Sequence, residues 1–211
     1  IEDNAGDDIV TGGDGTDQLH VGPGTNSIDG GAGNDIFTDD GADAAGTNTL
    51  SGGAGTDRFF SIAGNNLVLG GTENDTFDRS SGNSTIDGGG GNDSSSDGPG
   101  DDVVTGGDGA DQFWVGSGTN SIDGGAGNDT FSDDGTDVAG TSTLSGGAGS
   151  DRFNPMEGNN LNLGGADNDL FYGSTGNDLF QGEAGSDYAD GGAGNDTIYG
   201  SGKKKKRMEN T

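Results

Sequence analysis

The sequence predicts an all-β fold, a parallel solenoid in which the chain winds into about ten stacked coils of about 18 residues each. Three observations predict it. A long segment is repeated at an offset of 94 residues, a period of nine runs inside each copy, and successive nonapeptides alternate between two kinds. Fixed periods of this sort are the signature of repeat architectures. The periodicity outweighs the composition, because 26% hydrophobic residues and a net charge of −29 are otherwise typical of a disordered chain.

The long repeat defines the domain organisation. Residues 11–35 read TGGDGTDQLHVGPGTNSIDGGAGND, and residues 105–129 read TGGDGADQFWVGSGTNSIDGGAGND. We therefore predict a first repeat unit over 3–96, a second unit over 97–199 stacked on the first, and a basic flexible tail over 200–211. Each unit contains one longer segment of thirteen residues, 39–51 and 133–145, whose extra residues predict a small bulging loop.

Each nonapeptide predicts one turn followed by one short strand. Six Gly-rich residues form the turn, because successive turn positions must adopt positive φ. The last three residues form the strand, with the central side chain, at the eighth position, pointing inward. One row of inward positions is Leu19, Phe37, Phe59, Phe77, Ser95, Phe113, Phe131, Phe153, Phe171 and Ala189. The opposite row is Val10, Ile28, Leu50, Val68, Ile86, Val104, Ile122, Leu144, Asn162, Phe180 and Ile198.

Three strands depart from the pattern. Val68 and Asn162 are each flanked by two leucines, and a slip of one residue reverses the buried face of a strand. The sequence leaves open whether Val68 and Asn162 or the flanking leucines point inward. Ser95 lies at the junction of the two units, beside Gly98 and Pro99, and predicts a weak coil or hinge.

The sixth positions carry the chemistry. Alternate nonapeptides have Asp there without exception: Asp17, Asp35, Asp57, Asp75, Asp93, Asp111, Asp129, Asp151, Asp169 and Asp187. The intervening nonapeptides are mostly neutral: Asp8, Asn26, Asn48, Asn66, Ser84, Asp102, Asn120, Ser142, Asn160, Asp178 and Asp196.

Stacked coils would place the like charges of the Asp row about 4.8 Å apart, where they repel. In addition, so thin a core cannot offset the chain entropy. A divalent cation between successive turns removes both objections. Ca²⁺ takes 6–8 oxygen ligands, and the absence of Cys with a single His disfavours softer metals.

The repeat GGxGxDxUx resembles the RTX, or haemolysin-type, calcium-binding nonapeptide over about residues 3–199. This resemblance implies a right-handed parallel β-roll with Ca²⁺ held between consecutive turns by the sixth-position Asp and by turn carbonyls. Carried onto this chain, the ligands are the ten Asp residues from Asp17 to Asp187, with first-position carbonyls from Gly12, Gly30, Gly52, Gly70, Gly88, Gly106, Gly124, Gly146 and Gly164.

The neutral residues at the other sixth positions predict that the calcium ladder lies mainly on one side. We expect roughly nine to ten ions, one per gap between stacked turns. Asp178 and Asp196 are neighbours on the neutral side and could bracket one further ion. Asp8 and Asp102 lack such a neighbour, and we expect no full site at either.

Several function classes are excluded. One His, no Cys and no Lys before Lys203 leave few nucleophiles or bases, so we expect no enzyme. The strongly acidic chain is not expected to bind nucleic acid, which needs a basic surface. The sequence contains no run of about 18 apolar residues, so we expect no membrane-spanning helix.

The first hypothesis is a structural module of a secreted or cell-surface protein that folds on binding calcium and acts outside the cell. Exposed strand edges at the solenoid ends favour self-association end to end, into a filament or layer, or association with other surface proteins. One alternative is a non-catalytic module of a larger secreted enzyme or adhesin. Another is an ice-binding face built from pairs such as Thr25-Asn26 and Thr119-Asn120.

Overall fold

A computed structural model describes residues 1–39, 46–78, 81–135 and 140–200. Over these residues the chain forms 21 strands and no helix, and the strands alternate along the chain between two parallel sheets. The eleven-stranded sheet contains β1 (Ile9–Asp14), β3 (Ser27–Ala32), β5 (Thr49–Ala54), β7 (Leu67–Thr72), β9 (Thr85–Gly90), β11 (Val103–Asp108), β13 (Ser121–Ala126), β15 (Thr143–Ala148), β17 (Leu161–Ala166), β19 (Leu179–Gln181) and β21 (Thr197–Tyr199). The ten-stranded sheet contains β2 (Gln18–Val21), β4 (Ile36–Asp39), β6 (Arg58–Phe60), β8 (Thr76–Asp78), β10 (Ser94–Ser96), β12 (Gln112–Val115), β14 (Thr130–Asp133), β16 (Arg152–Phe153), β18 (Leu170–Tyr172) and β20 (Tyr188–Asp190).

The strand register confirms a solenoid with coils of about 18 residues. In the first coils Val10 pairs with Ile28, and in the second unit Val104 pairs with Ile122. The pairing of Ile28 with Leu50 spans four more residues, because the thirteen-residue segment lies between them. The predicted bulging loops themselves fall largely on 40–45 and 136–139, outside the described residues.

The strands of the eleven-stranded sheet are longer than the sequence predicted. Nine of them have six residues instead of the expected three. They continue through the first glycines of the following turn, where Gly13 pairs with Gly31. The backbone of these glycines is itself paired, which the apolar triplet alone did not indicate.

The core consists of the two predicted inward rows except near the ends of the solenoid, where Val10 and Ala189 are only partly buried and Ile198, predicted to point inward, is 46% exposed because no further coil covers it. Phe37, Phe59 and Phe77 form one stack, with ring centroids 4.5 and 5.1 Å apart. Phe113, Phe131, Phe153 and Phe171 form a second stack at 4.9, 4.7 and 4.7 Å. Aliphatic residues of the eleven-stranded sheet, such as Ile28, Leu50 and Leu144, complete the same buried cluster. Stacked aromatic side chains add to the stabilisation that their buried area provides.

The open question of register is settled at both strands. Val68 and Asn162 are each 2% exposed, whereas Leu67 is 38% exposed. The regular register therefore holds, and the alternative with inward leucines is wrong. Pairing of Leu50 with Val68 and of Leu144 with Asn162 fixes these strands, because a slip would break the alignment with both neighbouring coils.

Both sheets run through the junction between the two units. Ser95 is buried and separates the two Phe stacks, yet it pairs with Phe77 on one side and Phe113 on the other. The β10 strand therefore continues the sheet without a break. What the junction loses is aromatic packing, not backbone pairing.

A second apolar layer was missed in the sequence. Val21, Val115, Ile62 and Met156 are buried in the same cluster as the inward rows. These residues occupy the first or second position of nonapeptides on the neutral side, where the repeat has no fixed apolar residue. The irregular identity of this position is the reason that the period did not reveal it.

Candidate metal centre

The acidic turns owe their shape to glycine. In the turn from Gly30 to Asp35, Gly31 and Gly33 have φ of 105° and 131°. A side chain is strained at such angles, and a Cβ on either residue would also collide with the preceding coil. The same two turn positions have positive φ in the following turn, at Gly53 and Gly55. The repeat thus places one sixth-position Asp at the same point of every coil.

One oxygen of each ladder Asp after Asp17 accepts a hydrogen bond from the preceding coil. The Asp57 N–H donates to Asp75 Oδ1 at 2.7 Å, and the Asp75 N–H donates to Asp93 Oδ1 at 2.8 Å. Such bonds join the ten Asp from Asp17 to Asp187 at 2.7 to 3.2 Å. The nine carboxylates from Asp35 to Asp187 are therefore oriented alike.

The other oxygen of these carboxylates is buried and has no hydrogen-bond partner. This holds for Oδ2 of Asp17, Asp35, Asp57, Asp75, Asp93, Asp111, Asp129, Asp151 and Asp169. Buried polar atoms are nearly always paired, and an ionised carboxylate buried without a partner is costly. A row of nine such atoms, one per coil, indicates a missing positive partner.

The electrostatics point the same way. Burial, reinforced by the neighbouring Asp charges, raises the pKa of Asp75 and of Asp129 to about 7. Burial likewise raises the pKa of Asp57, Asp93 and Asp169 to about 6. Removal from water is the largest cause in each case. A nearby cation would reverse these shifts, because it stabilises the ionised form.

The first-position glycines leave room beside the buried oxygens. A Cβ on Gly30 would collide with Asp35 Oδ2 and would lie 2.8 Å from the carbonyl oxygen of Gly52 in the next coil. The carboxylate of one turn and a carbonyl of the next coil therefore converge on a point that only glycine leaves open. The same relation holds at the other predicted glycines: Gly12, Gly52, Gly70, Gly88, Gly106, Gly124, Gly146 and Gly164.

This arrangement fits a hard cation. Among the described residues, no three acidic or His side chains group around one point, so a cation would take one or two carboxylates and complete its shell with turn carbonyls. Such an oxygen-only set is what Ca²⁺ accepts. The side chains and carbonyls that would hold it are those of the ten predicted Asp and nine predicted glycines.

The Asn turns of the neutral side satisfy their hydrogen bonds without a cation. The Asn48 N–H donates to Asn66 Oδ1 at 2.8 Å, repeating the ladder bond of the acidic side. The second side-chain atom is here an amide nitrogen. Asn26 Nδ2 donates to the Gly22 carbonyl at 2.8 Å and Asn120 Nδ2 to the Gly116 carbonyl at 3.0 Å. In the Asn turns the second side-chain atom therefore has a hydrogen-bond partner, whereas the corresponding Asp oxygen of the acidic side has none.

Asp178 and Asp196 lie in adjacent coils at the end of the neutral side. The Asp178 N–H donates to Asp196 Oδ1 at 3.0 Å, so this pair repeats the geometry of the acidic ladder. Burial, reinforced by the charge of Asp196, raises the pKa of Asp178 to about 6. These two side chains stand where the sequence-based hypothesis requires them for one further ion.

Two buried acids were missed in the sequence. Asp97 and Asp3 are 1% and 7% exposed and stand at the first position of a turn on the neutral side. The signal that could have revealed them is their recurrence at the 94-residue offset.

The fold is a parallel solenoid in which the acidic side of each coil carries a buried carboxylate with one oxygen that has no hydrogen-bond partner. These features define a repeat protein suited to hard divalent cations. The pattern of the RTX calcium-binding nonapeptide repeat matches residues 2–37, 43–77, 69–95, 96–131, 132–161 and 163–198. The chain belongs to this haemolysin-type family, and it is a calcium-binding β-roll module. A comparison with curated proteins gave no significant match. None of the described residues forms a helix long and apolar enough to cross a membrane.

Proposed function

We propose that the chain is a structural rod that folds when calcium fills a ladder along its acidic side. The observation that carries this proposal is the row of nine buried Asp Oδ2 atoms without partners. The proposed ligands are the ten Asp from Asp17 to Asp187 and the first-position carbonyls from Gly12 to Gly164. One ion per gap gives roughly nine, and Asp178 with Asp196 adds one more.

Calcium acts as the folding switch in this proposal. An ion that binds the folded chain and not the unfolded chain stabilises folding in proportion to the logarithm of its concentration. Extracellular calcium modules bind with dissociation constants of about 10⁻⁴ to 10⁻³ M. The repeats are typical of secreted proteins, so we place the rod outside the cell or on its surface, where calcium of this concentration folds it.

The two units, 3–96 and 97–199, form one rod in this proposal, because strand pairing continues across their junction. The basic tail over 200–211 lies beyond the described residues except for Gly200. A non-catalytic role is supported by the repetition itself, since every acidic turn offers the same groups.

The test is a calcium titration of the 211-residue chain, followed by circular dichroism, with magnesium as the control. We expect a coil spectrum in EGTA, a cooperative gain of β-structure with calcium, and little gain with magnesium, which demands near-octahedral geometry. Native mass spectrometry then counts nine to ten ions. A chain equally ordered in EGTA would refute the switch.

End-to-end association is supported by the exposed terminal strands. Ile9 of β1 is 88% exposed, and Ile198 and Tyr199 of β21 are 46% and 59% exposed. Such edges pair readily with another chain, and β21 of one molecule against β1 of the next would continue the eleven-stranded sheet. Light scattering and electron microscopy of the calcium-loaded chain should show rods that lengthen with concentration. Tyr199→Lys should leave single rods, and Trp114→Lys, away from the ends, should not.

We do not propose an ice-binding face, because that alternative rests on pairs such as Thr25-Asn26 and Thr119-Asn120, and the side chains of Asn26 and Asn120 are 3% and 2% exposed.

A further inference from the structure

Two acidic turns break the glycine pattern at their fourth position. The other eight turns have Gly there: Gly15, Gly33, Gly55, Gly91, Gly109, Gly127, Gly149 and Gly185. The two exceptions are Glu73 and Asp167, which are separated by the 94-residue offset of the long repeat. Both units therefore place an acid at the same point of the same coil, so the exception is a feature of the repeat unit.

The backbone of both acids adopts a conformation that suits glycine better. The φ angles of Glu73 and Asp167 are 69° and 75°, in the left-handed region that is unfavourable for a long side chain such as that of Glu. Gly55, at the equivalent position of the preceding turn, has φ of 119° without a steric penalty. Backbone strain that is kept at one place in both units indicates a function of the side chain.

The Glu73 carboxylate bridges two adjacent turns. Glu73 belongs to the turn of Asp75, and its Oε2 accepts the N–H of Gly55, in the turn of Asp57, at 2.9 Å. The Thr72 hydroxyl donates to the same oxygen at 2.6 Å. These hydrogen bonds lower the pKa of Glu73. An ionised carboxylate therefore spans the gap between the two turns.

The same gap contains a buried oxygen without a partner. Asp57 is 0% exposed, and its Oδ2 has no hydrogen-bond partner. Asp57 Oδ2 and the Gly70 carbonyl converge on the space beside Gly52, and Glu73 follows Gly70 by three residues. Burial is the largest cause of the raised pKa of Asp57 and Asp75, and the charge of Glu73 contributes to both. The Glu73 charge is therefore close to the position of the proposed ion.

The second unit repeats the arrangement. Asp151 Oδ2 is buried without a hydrogen-bond partner, and it converges with the Gly164 carbonyl on the space beside Gly146. Asp167 follows Gly164 by three residues. Burial is the largest cause of the raised pKa of Asp151 and Asp169, and the charge of Asp167 contributes to both. Each unit thus has one gap with an acid at the fourth position of its turn.

We propose that Glu73 and Asp167 each make the calcium position of their gap the tightest of its unit, so that this position fills first and the unit folds outward from it. The acids act by charge and not as ligands, because both are exposed and Glu73 Oε2 already accepts two hydrogen bonds. A further negative group beside a divalent ion adds attraction. In a solenoid, folding spreads from the coil that forms first to its neighbours. This inference rests on the proposed function and adds an order of filling to it.

The test is hydrogen exchange, read by mass spectrometry, on the full chain at the calcium concentration that half-folds the wild type and at saturating calcium. Glu73→Gln removes the charge and keeps an oxygen that can accept the Gly55 N–H. At limiting calcium it should lower the protection of residues 52–78 and leave 146–172 unchanged, and Asp167→Asn should do the reverse. The calcium concentration that half-folds the affected unit should rise roughly two- to tenfold. At saturating calcium the variants and the wild type should be equally protected.

Asp14→Asn and Asp108→Asn are the matched controls. These acids are also exposed, also lie in acidic turns and are separated by the same offset, but they stand at the third position. Each should leave the protection at limiting calcium unchanged. In about 1 M KCl the effect of Glu73→Gln should disappear, because the screening length falls to about 3 Å.

Four outcomes overturn the proposal. Equal effects of Glu73→Gln and Asp14→Asn mean that net charge alone sets the calcium requirement, while the proposed function stands. An effect that persists at high salt or at saturating calcium means that Glu73 acts through its hydrogen bonds. Uniform protection along each wild-type unit at limiting calcium means that no position fills first. A wild type whose protection does not depend on calcium defeats the proposed function as well. Asn tolerates positive φ, so Asp167→Asn tests the second unit even if Glu73→Gln does not fold.

Discussion

Replacement of the acidic ladder by Asn should make folding independent of calcium. The variant changes the nine Asp residues whose Oδ2 is buried without a partner: Asp17, Asp35, Asp57, Asp75, Asp93, Asp111, Asp129, Asp151 and Asp169. Asn keeps the oxygen that accepts the ladder N–H and supplies an amide donor in place of the buried anion. The neutral side already uses this solution at Asn26 and Asn120.

The magnitude follows from the pKa values. At pH 7.5 the ionised forms of Asp75 and Asp57, with pKa of about 7 and about 6, cost up to about 3 to 4 kcal/mol each relative to the unfolded chain. Solvent screening at the turn reduces this to about 2 kcal/mol each. Over five such residues the cost is about 10 kcal/mol, comparable to the whole stability of a typical domain. The wild type should therefore be unfolded in EGTA, and the nine-Asn variant should be folded.

The assay is circular dichroism with urea unfolding, in EGTA and in calcium. A control variant removes the same number of charges from exposed positions: Asp7, Asp14, Asp29, Asp87, Asp101, Asp108, Asp123, Asp167 and Asp190. We expect the ladder variant to give the same β-spectrum in both buffers, and the control to require calcium as the wild type does. If both variants fold equally well in EGTA, general charge repulsion causes the calcium dependence and the reasoning about buried oxygens is refuted.

Three further predictions concern pH, turn packing and the core. Burial raises the folded-state pKa of ladder carboxyls such as Asp75 to about 7, so their protonation favours folding at low pH and this stability is lost as pH rises through about 6 to 7. Circular dichroism in EGTA should therefore show more β-structure at pH 5 than at pH 7.5. Calcium should bind more weakly at pH 5, because protons compete for the same carboxylates. Gly70→Ala places a Cβ against Asp75 Oδ2 and the Gly88 carbonyl, whereas a Cβ in the control variant Gly90→Ala meets nothing within 4 Å. Such overpacking costs about 1 to 3 kcal/mol, so the melting temperature of the calcium-loaded chain should fall by about 5 °C for Gly70→Ala only. Equal shifts in the two variants would contradict the cation position beside the first-position glycines. Phe131→Ala removes a ring that is stacked on both sides, and urea unfolding in calcium should show a loss of about 3 to 5 kcal/mol in the free energy of unfolding. The control Phe60→Ala, at a more exposed ring, should lose less than about 1 kcal/mol. Similar losses in the two variants would show that the Phe stack is not the core.

The sequence was sufficient for whatever repeats in every coil. A fixed period gives each coil the same local conformation, so the inward Phe row and the position of residues such as Asp75 could be read from spacing alone. What the sequence did not reveal depends on neighbours in space. Pairing of Gly13 with Gly31 lengthens strands beyond the apolar triplet, and Val21 and Met156 form a layer at positions with no fixed residue type.

The two sides of each coil differ mainly in one side-chain atom of the sixth-position residue, and this atom explains the expected calcium dependence. Asn120 and Asp129 both hold a ladder bond through Oδ1, from Asp102 and Asp111. They differ in the second atom, which donates to a carbonyl in Asn120 and is a buried anionic oxygen in Asp129. Both turns close the same coil, so a coil cannot form on its satisfied side alone. Because each ladder carboxylate also bonds the backbone of the preceding coil, an ion that fixes one turn orients the next. Calcium should therefore fold the rod cooperatively along its length, although the ions lie mainly on one side.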